Sequence, residues 1–439
     1  MFSQYKKHLG CFALAMGGSL TSAAMAEELT IATVNNADMI IMQQLSPIWE
    51  KETGNTLKWV ILEESVLRQR VTTDIATSGG TYDIITIGAY EAPLWGKNGW
   101  LRPLDDFDAS YNYDDIFPSV RNGLSANGQL FAVPFYAESS FTFYRKDLFE
   151  AAGLTMPSKP TWSQIEQFAA KLHKPEQEQY GICLRGKAGW GENIAVFGTM
   201  VNAFGGRWFD MDWNPEIASP EWNNALTFYT DLVQDYGAPG TPNNGHNENR
   251  AMFASGKCAM WVDATSAAGY IYNPDESDVA DVTGFVSAPS QVSDKGNGWF
   301  WAWALSVPKS SKNEDAAKDF LAWATSQEYV NLVGKEKGWI AAPPGTREST
   351  YSKQEYIDAA PFANTVRNQI LNADPANPSA KPVPYTGVQF VAIPEFQGIG
   401  TFVGQMVSAS LAGTMTPEEA LESSQNYASQ VMTRAGYIK

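Results

Sequence analysis

Thr81-Tyr82-Asp83-Ile84-Ile85-Thr86-Ile87-Gly88-Ala89-Tyr90-Glu91 contains the run that decides the fold. Residues 83–87 are nearly continuously apolar, with no polar alternation. A strand buried on both faces carries such a run, whereas a half-exposed strand alternates. Upstream, residues 29–34 are a short β-prone run, and residues 39–49 carry apolar side chains near helical spacing. Residues 57–62 read as a second strand and 65–77 as a second helix. The order strand, helix, strand, helix, strand implies a parallel sheet with helices on both sides. The expected class is α/β.

Downstream, several helices announce their starts. Thr161 with Gln164 fits a capping box leading into Trp162, Ile165 and Phe168. Ser219 precedes Pro220, a good first helical residue. Trp222, Ala225, Leu226, Tyr229, Leu232 and Val233 then share one face. Ser311 with Glu314 predicts another helix, burying Ala317, Phe320, Leu321 and Ala324. Thr416-Pro417-Glu418-Glu419 combines an N-cap, a first-turn proline and an N3 glutamate. Residues 237–249 and 372–384 are rich in Gly, Asn and Pro and read as mobile loops. There is no repeat, no low-complexity tract and no clean composition break. Two lobes assembled from discontinuous segments suit this better than domains joined by a linker.

The N-terminus carries Lys6 and Lys7, a mostly apolar or small stretch over 9–20, and Ala24-Met25-Ala26. This is the layout of a cleavable secretory signal over residues 1–26. The apolar stretch is shorter than a membrane-spanning helix of about 20 residues and is broken by glycine and serine. Cleavage leaves about 413 residues, more than one typical core holds. The formal charge of −17 becomes about −19 without the two lysines. Such a surface gives no track for a phosphate backbone, so nucleic acid is not an expected partner. Cys183 and Cys258 survive cleavage into a compartment where a bridge is permitted. Sequence leaves open whether they pair or stay as two buried thiols.

The usual fingerprints of chemistry are missing. Neither G-x-G-x-x-G nor G-x-x-x-x-G-K-[ST] occurs, nor a G-x-S-x-G elbow, nor H-E-x-x-H. Only His173 and His246 remain after cleavage, too few for a histidine metal site or a triad. Asp210, Asp212, Asn214 and Glu221 match four positions of a calcium loop, but Pro215 stands where that loop needs glycine. No metal and no cofactor are expected. The positive signal is aromatic: 13% of residues, including 15 tryptophans. Several sit beside carboxylates and amides, as in Gly189-Trp190-Gly191-Glu192-Asn193 and Asn297-Gly298-Trp299-Phe300-Trp301-Ala302-Trp303. Aromatic faces cover the C–H patches of sugars and polyols, and carboxylates, amides and guanidinium groups meet their hydroxyls. A tryptophan-rich core explains the same residues equally well.

Longer segments add specificity. They are the stretch quoted first, then Gly99-Trp100-Leu101, Val133-Pro134-Phe135-Tyr136-Ala137-Glu138-Ser139-Ser140 and Tyr144-Arg145-Lys146-Asp147-Leu148-Phe149. Further on come Leu184-Arg185-Gly186-Lys187, Gly256-Lys257-Cys258-Ala259-Met260-Trp261-Val262-Asp263-Ala264-Thr265, Pro343-Pro344-Gly345-Thr346-Arg347 and Ile393-Pro394-Glu395-Phe396. With these the chain resembles family 1 extracellular solute-binding proteins of ABC importers, over essentially its whole length after residue 26. Within the family it is most similar to the sorbitol/mannitol-binding subgroup. The resemblance implies a two-lobed periplasmic binding protein fold, with parallel-rich sheets flanked by helices and the ligand in the cleft between lobes. The lobes are expected as 27–136 plus 304–345 and as 137–303 plus 346–439. The implied partners are a small neutral polyol or sugar and a membrane permease. The chain is expected to be a periplasmic monomer and not an enzyme.

The resemblance also implies where ligand contacts fall: Asn35 and Asn36 after the first strand, Tyr90 and Glu91 after the Asp83 strand, and Glu138 at the first crossing. In the second lobe they fall on Arg185, Trp190 and Asp263, with Trp299 and Trp301 at the return crossing and Arg347 near the third. Each has a plainer alternative. Glu138 lies in an apolar run, where an unpaired carboxylate is costly. Asp263 could cap a helix, and Arg185 could be an ion-pair partner. Trp299, Trp301 and Trp303 share one face at period 2. Glu64, just past the second strand, could reach the cleft. The expected action is capture of a polyol such as mannitol, sorbitol or arabitol, or a monosaccharide, by hinge closure. A secreted glycoside hydrolase and a binder of an oligosaccharide or of glycerol phosphate are the competing expectations.

Overall fold

The structure, a computed structural model, describes residues 26–439, so the expected signal segment lies outside it but for Ala26. Its strands, in chain order, are β1 (Glu28–Val34), β2 (Thr56–Leu62), β3 (Ile84–Gly88), β4 (Val133–Glu138), β5 (Ser140–Arg145), β6 (Met260–Ala264), β7 (Thr283–Ser287) and β8 (Trp301–Ser306). A two-residue hairpin pair at Ser125–Ala126 and Gln129–Leu130 lies apart from both sheets. The first sheet has the order β2-β1-β3-β8-β4. β1 runs parallel to both β2 and β3, with Ile31 opposite Trp59 and Ile84. Ile84, Ile85 and Ile87 are buried, as the unbroken apolar run requires.

The far half of this sheet is antiparallel. β8 returns from the second lobe and pairs in the opposite sense with β3 and β4, so the sheet is mixed. Pro134 is tolerated because β4 is an edge strand. The second sheet, β6-β5-β7, is antiparallel throughout. Parallel pairing in the second lobe comes from isolated bridges, Tyr180 to Cys258, Ile182 to Gly237, Cys183 to Trp261 and Thr161 to Ser290. Runs of buried apolar residues reveal burial but not direction, so the pairing sense was legible only where short βαβ units enforced it.

β4 and β5 belong to different sheets and are separated by Ser139 alone. The chain therefore crosses between lobes in one residue. Ser139 exchanges hydrogen bonds with Thr265 there, through its amide (3.1 Å) and its carbonyl (2.9 Å). The boundaries expected after 136 and 303 fall inside β4 and β8, because sheet hydrogen bonding carries both strands further. A later crossing packs against the first. Ala137 N donates to Pro344 O at 2.9 Å, and Gly345 has φ +73° with the Ala137 carbonyl only 2.3 Å from where a Cβ would sit. Only glycine fits that backbone and that approach.

The capping boxes at Thr161 and Thr416 both form. The helix expected over 39–49 is two helices, Ala37–Leu45 and Pro47–Thr53, divided at Ser46 because Pro47 opens a new first turn. Ser219 precedes Pro220–Tyr236 without a side-chain cap bond. Ser311 does not cap its helix, which starts at Glu314 after Asn313. Its hydroxyl donates to Asp83 instead, at 2.7 Å. Residues 237–249 are not a plain loop: they contain the start of His246–Ala254, where Glu248 caps the Gly245 amide. Cys183 and Cys258 form a disulfide, Cα–Cα 5.9 Å. The calcium-like pattern closes on itself: Asp210 accepts from the Asp212 and Asn214 amides, and Glu221 pairs with Lys381. Among the described residues no helix is long and apolar enough to cross a membrane.

Candidate functional site

Between the two sheets lies a cavity of about 320 Å³, at the small end of the roughly 300–1,000 Å³ usual for ligand pockets. The ends of β1 and β2 bring Asn35, Asn36 and Glu64 to its wall, with Arg68 one helical turn beyond Glu64. Tyr136 and Glu138 alternate along β4, so both face the cavity. The register places Trp301 opposite Glu138 and Trp303 opposite Tyr136. The two strands thus build a floor of alternating indole and polar groups. The second lobe supplies Arg185, Lys187, Trp190 and Glu192 before one helix, His246 at the start of another, and Ser266 just past β6.

Eight of the twelve residues expected from sequence line this cavity: Asn35, Asn36, Glu64, Glu138, Arg185, Trp190, Trp299 and Trp301. Four do not. Glu91 lies beneath the wall, where it accepts from Arg68 and, at 3.0 Å, from the Gly88 amide. Asp263 is fully buried behind Arg185, which it holds in a fork at 2.8 and 2.5 Å, and it also accepts from His246 Nδ1 at 2.8 Å. It is neither a wall residue nor a helix cap. Tyr90 lies under Trp190, ring centroids 5.1 Å apart, and its hydroxyl donates to the Ile393 carbonyl at 3.0 Å. Arg347 is elsewhere: 1% exposed, it donates to the carbonyls of Thr325 and Tyr111 and pairs with Asp115 at 3.3 Å. Its Nε and Nη1 are spent inside the lobe and its side chain is buried there, away from the cavity wall.

Sequence reading passed over Arg68, Tyr136, Lys187, His246, Ser266 and Gln389. Arg68 had a signal, the i to i+4 spacing from Glu64, which accepts from its Nε and Nη2 at 3.0 and 2.8 Å. Its other nitrogen donates to Glu91. With its charge satisfied in the plane, its face lies 3.9 Å from the Trp190 ring, 5.0 Å from Trp303 and 5.2 Å from Trp301. Tyr136 had a signal too, two residues before Glu138 on a strand. Ser266 and Gln389 had none.

The electrostatics divide in two. Burial alone would raise Asp263, but Arg185 and His246 outweigh it and hold the carboxyl below the usual range. Burial lowers His246 despite Asp263, which keeps the imidazole neutral at pH 7. Glu138 and Glu192 go the other way. Burial pushes Glu138 up to about 8, only partly opposed by the Ser266 hydroxyl and the more distant Arg185. Burial also lifts Glu192 to about 8 against the pull of Arg185. Burial thus shifts both wall carboxyls toward the protonated form, and a protonated carboxyl both donates to and accepts from hydroxyls.

The lobes are in contact around this cavity. Lys187 pairs with Glu63 at 3.0 Å, Thr72 donates to Gln397 at 3.3 Å, and Arg68 stacks on Trp190. A Cβ on Gly191 would lie 1.7 Å from Glu64 Oε1, so the first lobe's carboxylate rests on bare backbone of the second. This is a closed arrangement.

Comparison with known proteins places these features. Residues 32–331 match the family described as bacterial extracellular solute-binding protein. The mannitol-binding protein of Pseudomonas aeruginosa is 55% identical over 430 residues, covering 98% of each chain. The crystal structure of an ABC transporter solute-binding protein from Agrobacterium vitis S4 with bound D-mannitol superposes with a TM-score of 0.93 at 55% identity, covering 94% of this chain and 100% of that one. A solute-binding protein from Agrobacterium radiobacter K84 in complex with ribitol gives 0.81 at 26% identity, covering 92% and 98%.

Proposed function

Because this chain belongs to the bacterial extracellular solute-binding proteins, we propose that it captures an acyclic polyol of the mannitol type for the permease of an ABC importer. The observation that carries this is the wall of the chamber. Glu64, Glu138 and Glu192 line a space of about 320 Å³ together with Trp190, Trp299 and Trp301. A flexible polyol presents hydroxyls to acids and C–H faces to indoles, and the small volume suits one such molecule. The mannitol-binding relative and the mannitol-bound and ribitol-bound neighbours support the same ligand class.

The mechanism is capture without bond making. An open form admits ligand, the lobes close about the crossings at Ser139, the segment before β8 and Gly345, and ligand bridges both walls. Ligand shifts this equilibrium only by its preference for the closed form. Glu138 and Asn36 would hold it from the first lobe and Arg185, Glu192 and Ser266 from the second, with Asp263 fixing the Arg185 fork. We place the mature protein in the periplasm as a monomer, released by cleavage after residue 26, and assign it no catalytic step. Calorimetric and thermal-shift titration with mannitol, sorbitol and arabitol tests the assignment. Saturable heat with at least one of them is expected, and no heat with any of the three overturns it.

A further inference from the structure

Three cations line the chamber, and each is already committed to protein carboxylates. Arg68 is held by Glu64 and Glu91, Arg185 by Asp263 with Glu192 at 3.8 Å, and Lys187 by Glu63 at 3.0 Å. The acids are not matched in the same way. Glu138 is 6% exposed and has no cation within ion-pair distance among the described residues. Its Oε2 accepts from the Ser266 hydroxyl, and its Oε1 accepts from no described residue. That oxygen belongs to a side chain on the chamber wall opposite Trp301. A buried carboxyl in this position is met by a ligand hydroxyl and is met more strongly by a cationic donor, since charge-assisted hydrogen bonds are roughly twice as strong as neutral ones. Indole faces beside it add attraction for a cation.

We propose that the chamber takes a second ligand class besides neutral alditols: amino-alditols, acyclic polyols in which a protonated amine replaces one terminal hydroxyl, with the ammonium seated at Glu138. The proposal rests on the polyol assignment above. Aldonates of the same length are disfavoured by the same logic, because among the described residues each cation on the chamber wall already faces a protein carboxylate. The charged and titratable groups facing Glu138 are Glu64, Tyr136, Arg185 and Asp263. Without a cationic ligand, burial keeps Glu138 protonated at pH 7. An ammonium that seats there displaces that proton to solvent, whereas a neutral hexitol does not. Amino-alditol affinity therefore rises from about pH 6 to about pH 8, with proton release, by up to tenfold per pH unit for one proton displaced.

The test is calorimetric titration of the mature protein with a hexitol, its 1-amino-1-deoxy counterpart and the matching aldonate, in two buffers of different ionisation enthalpy. The amino-alditol is expected to bind within about tenfold of the hexitol with buffer-dependent heat, and the aldonate at least about a hundredfold more weakly. Glu138→Gln is expected to weaken the amino-alditol at least about tenfold more than the hexitol. Hexitol binding with no amino-alditol binding overturns this inference and leaves the polyol assignment standing. Amino-alditol binding with no hexitol binding overturns the polyol assignment and, with it, the claim of a second class beside neutral alditols. Equal losses for both ligands in Glu138→Gln, or aldonate binding as tight as hexitol, also overturn it.

Discussion

Arg347 shows what a single residue can and cannot disclose. In sequence it follows a Pro-Pro-Gly-Thr run shared with the resembled family and lies close to a crossing, so it read as a ligand contact. Its partners, Asp115 and the Tyr111 and Thr325 carbonyls, are far away along the chain, and local reading does not see them. Arg347→Met should therefore lower thermal stability by a few kcal/mol, roughly 3–5 for breaking a buried ion pair. It should leave hexitol affinity unchanged in calorimetry. Glu138 was legible for the opposite reason: an acid inside an apolar strand demands an explanation wherever its neighbours come from. The raised carboxyls also set a pH dependence. Glu138 and Glu192 titrate near 8 when folded, against about 4.3 in an unfolded chain. The unfolded state releases their protons first, so their contribution is fully present below about 4.3 and is lost as pH rises through about 8. Asp263, held below the usual range, loses its contribution only at lower pH than that range. The ligand-free melting temperature is expected to fall from about pH 5 to about pH 8 in a scan at fixed ionic strength. A rise across that window contradicts the burial of these two acids.

Among the elements, β1, β2 and β3 were legible because each is a short apolar run separated by a helix, and parallel pairing follows from that order. β8 was not legible as their antiparallel neighbour. Its sequence, Trp-Ala-Trp-Ala-Leu-Ser, shows period 2, but its partners Gly88 and Glu138 are fixed only when the chain returns from the other lobe. The helix at His246 was hidden by Gly and Asn, residues that favour loops until the Glu248 cap offsets them. The disulfide was undecidable from spacing. It ties the Ile182-Cys183 segment to the residue two before β6, across 75 positions. The loop-entropy scale gives about 4 kcal/mol for a crosslink of that span. The paired Cys183→Ala, Cys258→Ala variant is expected to lose roughly 2–5 kcal/mol in urea denaturation. Because neither cysteine lines the chamber, its hexitol affinity should stay within about threefold, or about 0.6 kcal/mol, of the parent.

For the whole molecule, the contacts between lobes belong to the binding equilibrium as much as the wall residues do. The Lys187–Glu63 pair is partly exposed, 30% and 38% on its side chains, and joins the two lobes. Exposed pairs contribute about 0.2–1 kcal/mol. Lys187→Met should therefore weaken every ligand by the same factor, up to about fivefold, through the closed-state population. Unequal losses across a polyol panel would mean that Lys187 acts on the ligand directly. Two-domain size was legible from length, and the two lobes and the polyol class from the family resemblance, supported by the βαβ order and the tryptophans set beside carboxylates. The closed contact surface was not, because it depends on pairs such as Thr72 with Gln397 that meet only after folding. Capture by closure is tested most directly by small-angle X-ray scattering on the mature protein titrated with mannitol. The radius of gyration should fall and reach a plateau at one equivalent, with no further change in excess. Saturable binding with an unchanged radius of gyration would contradict it.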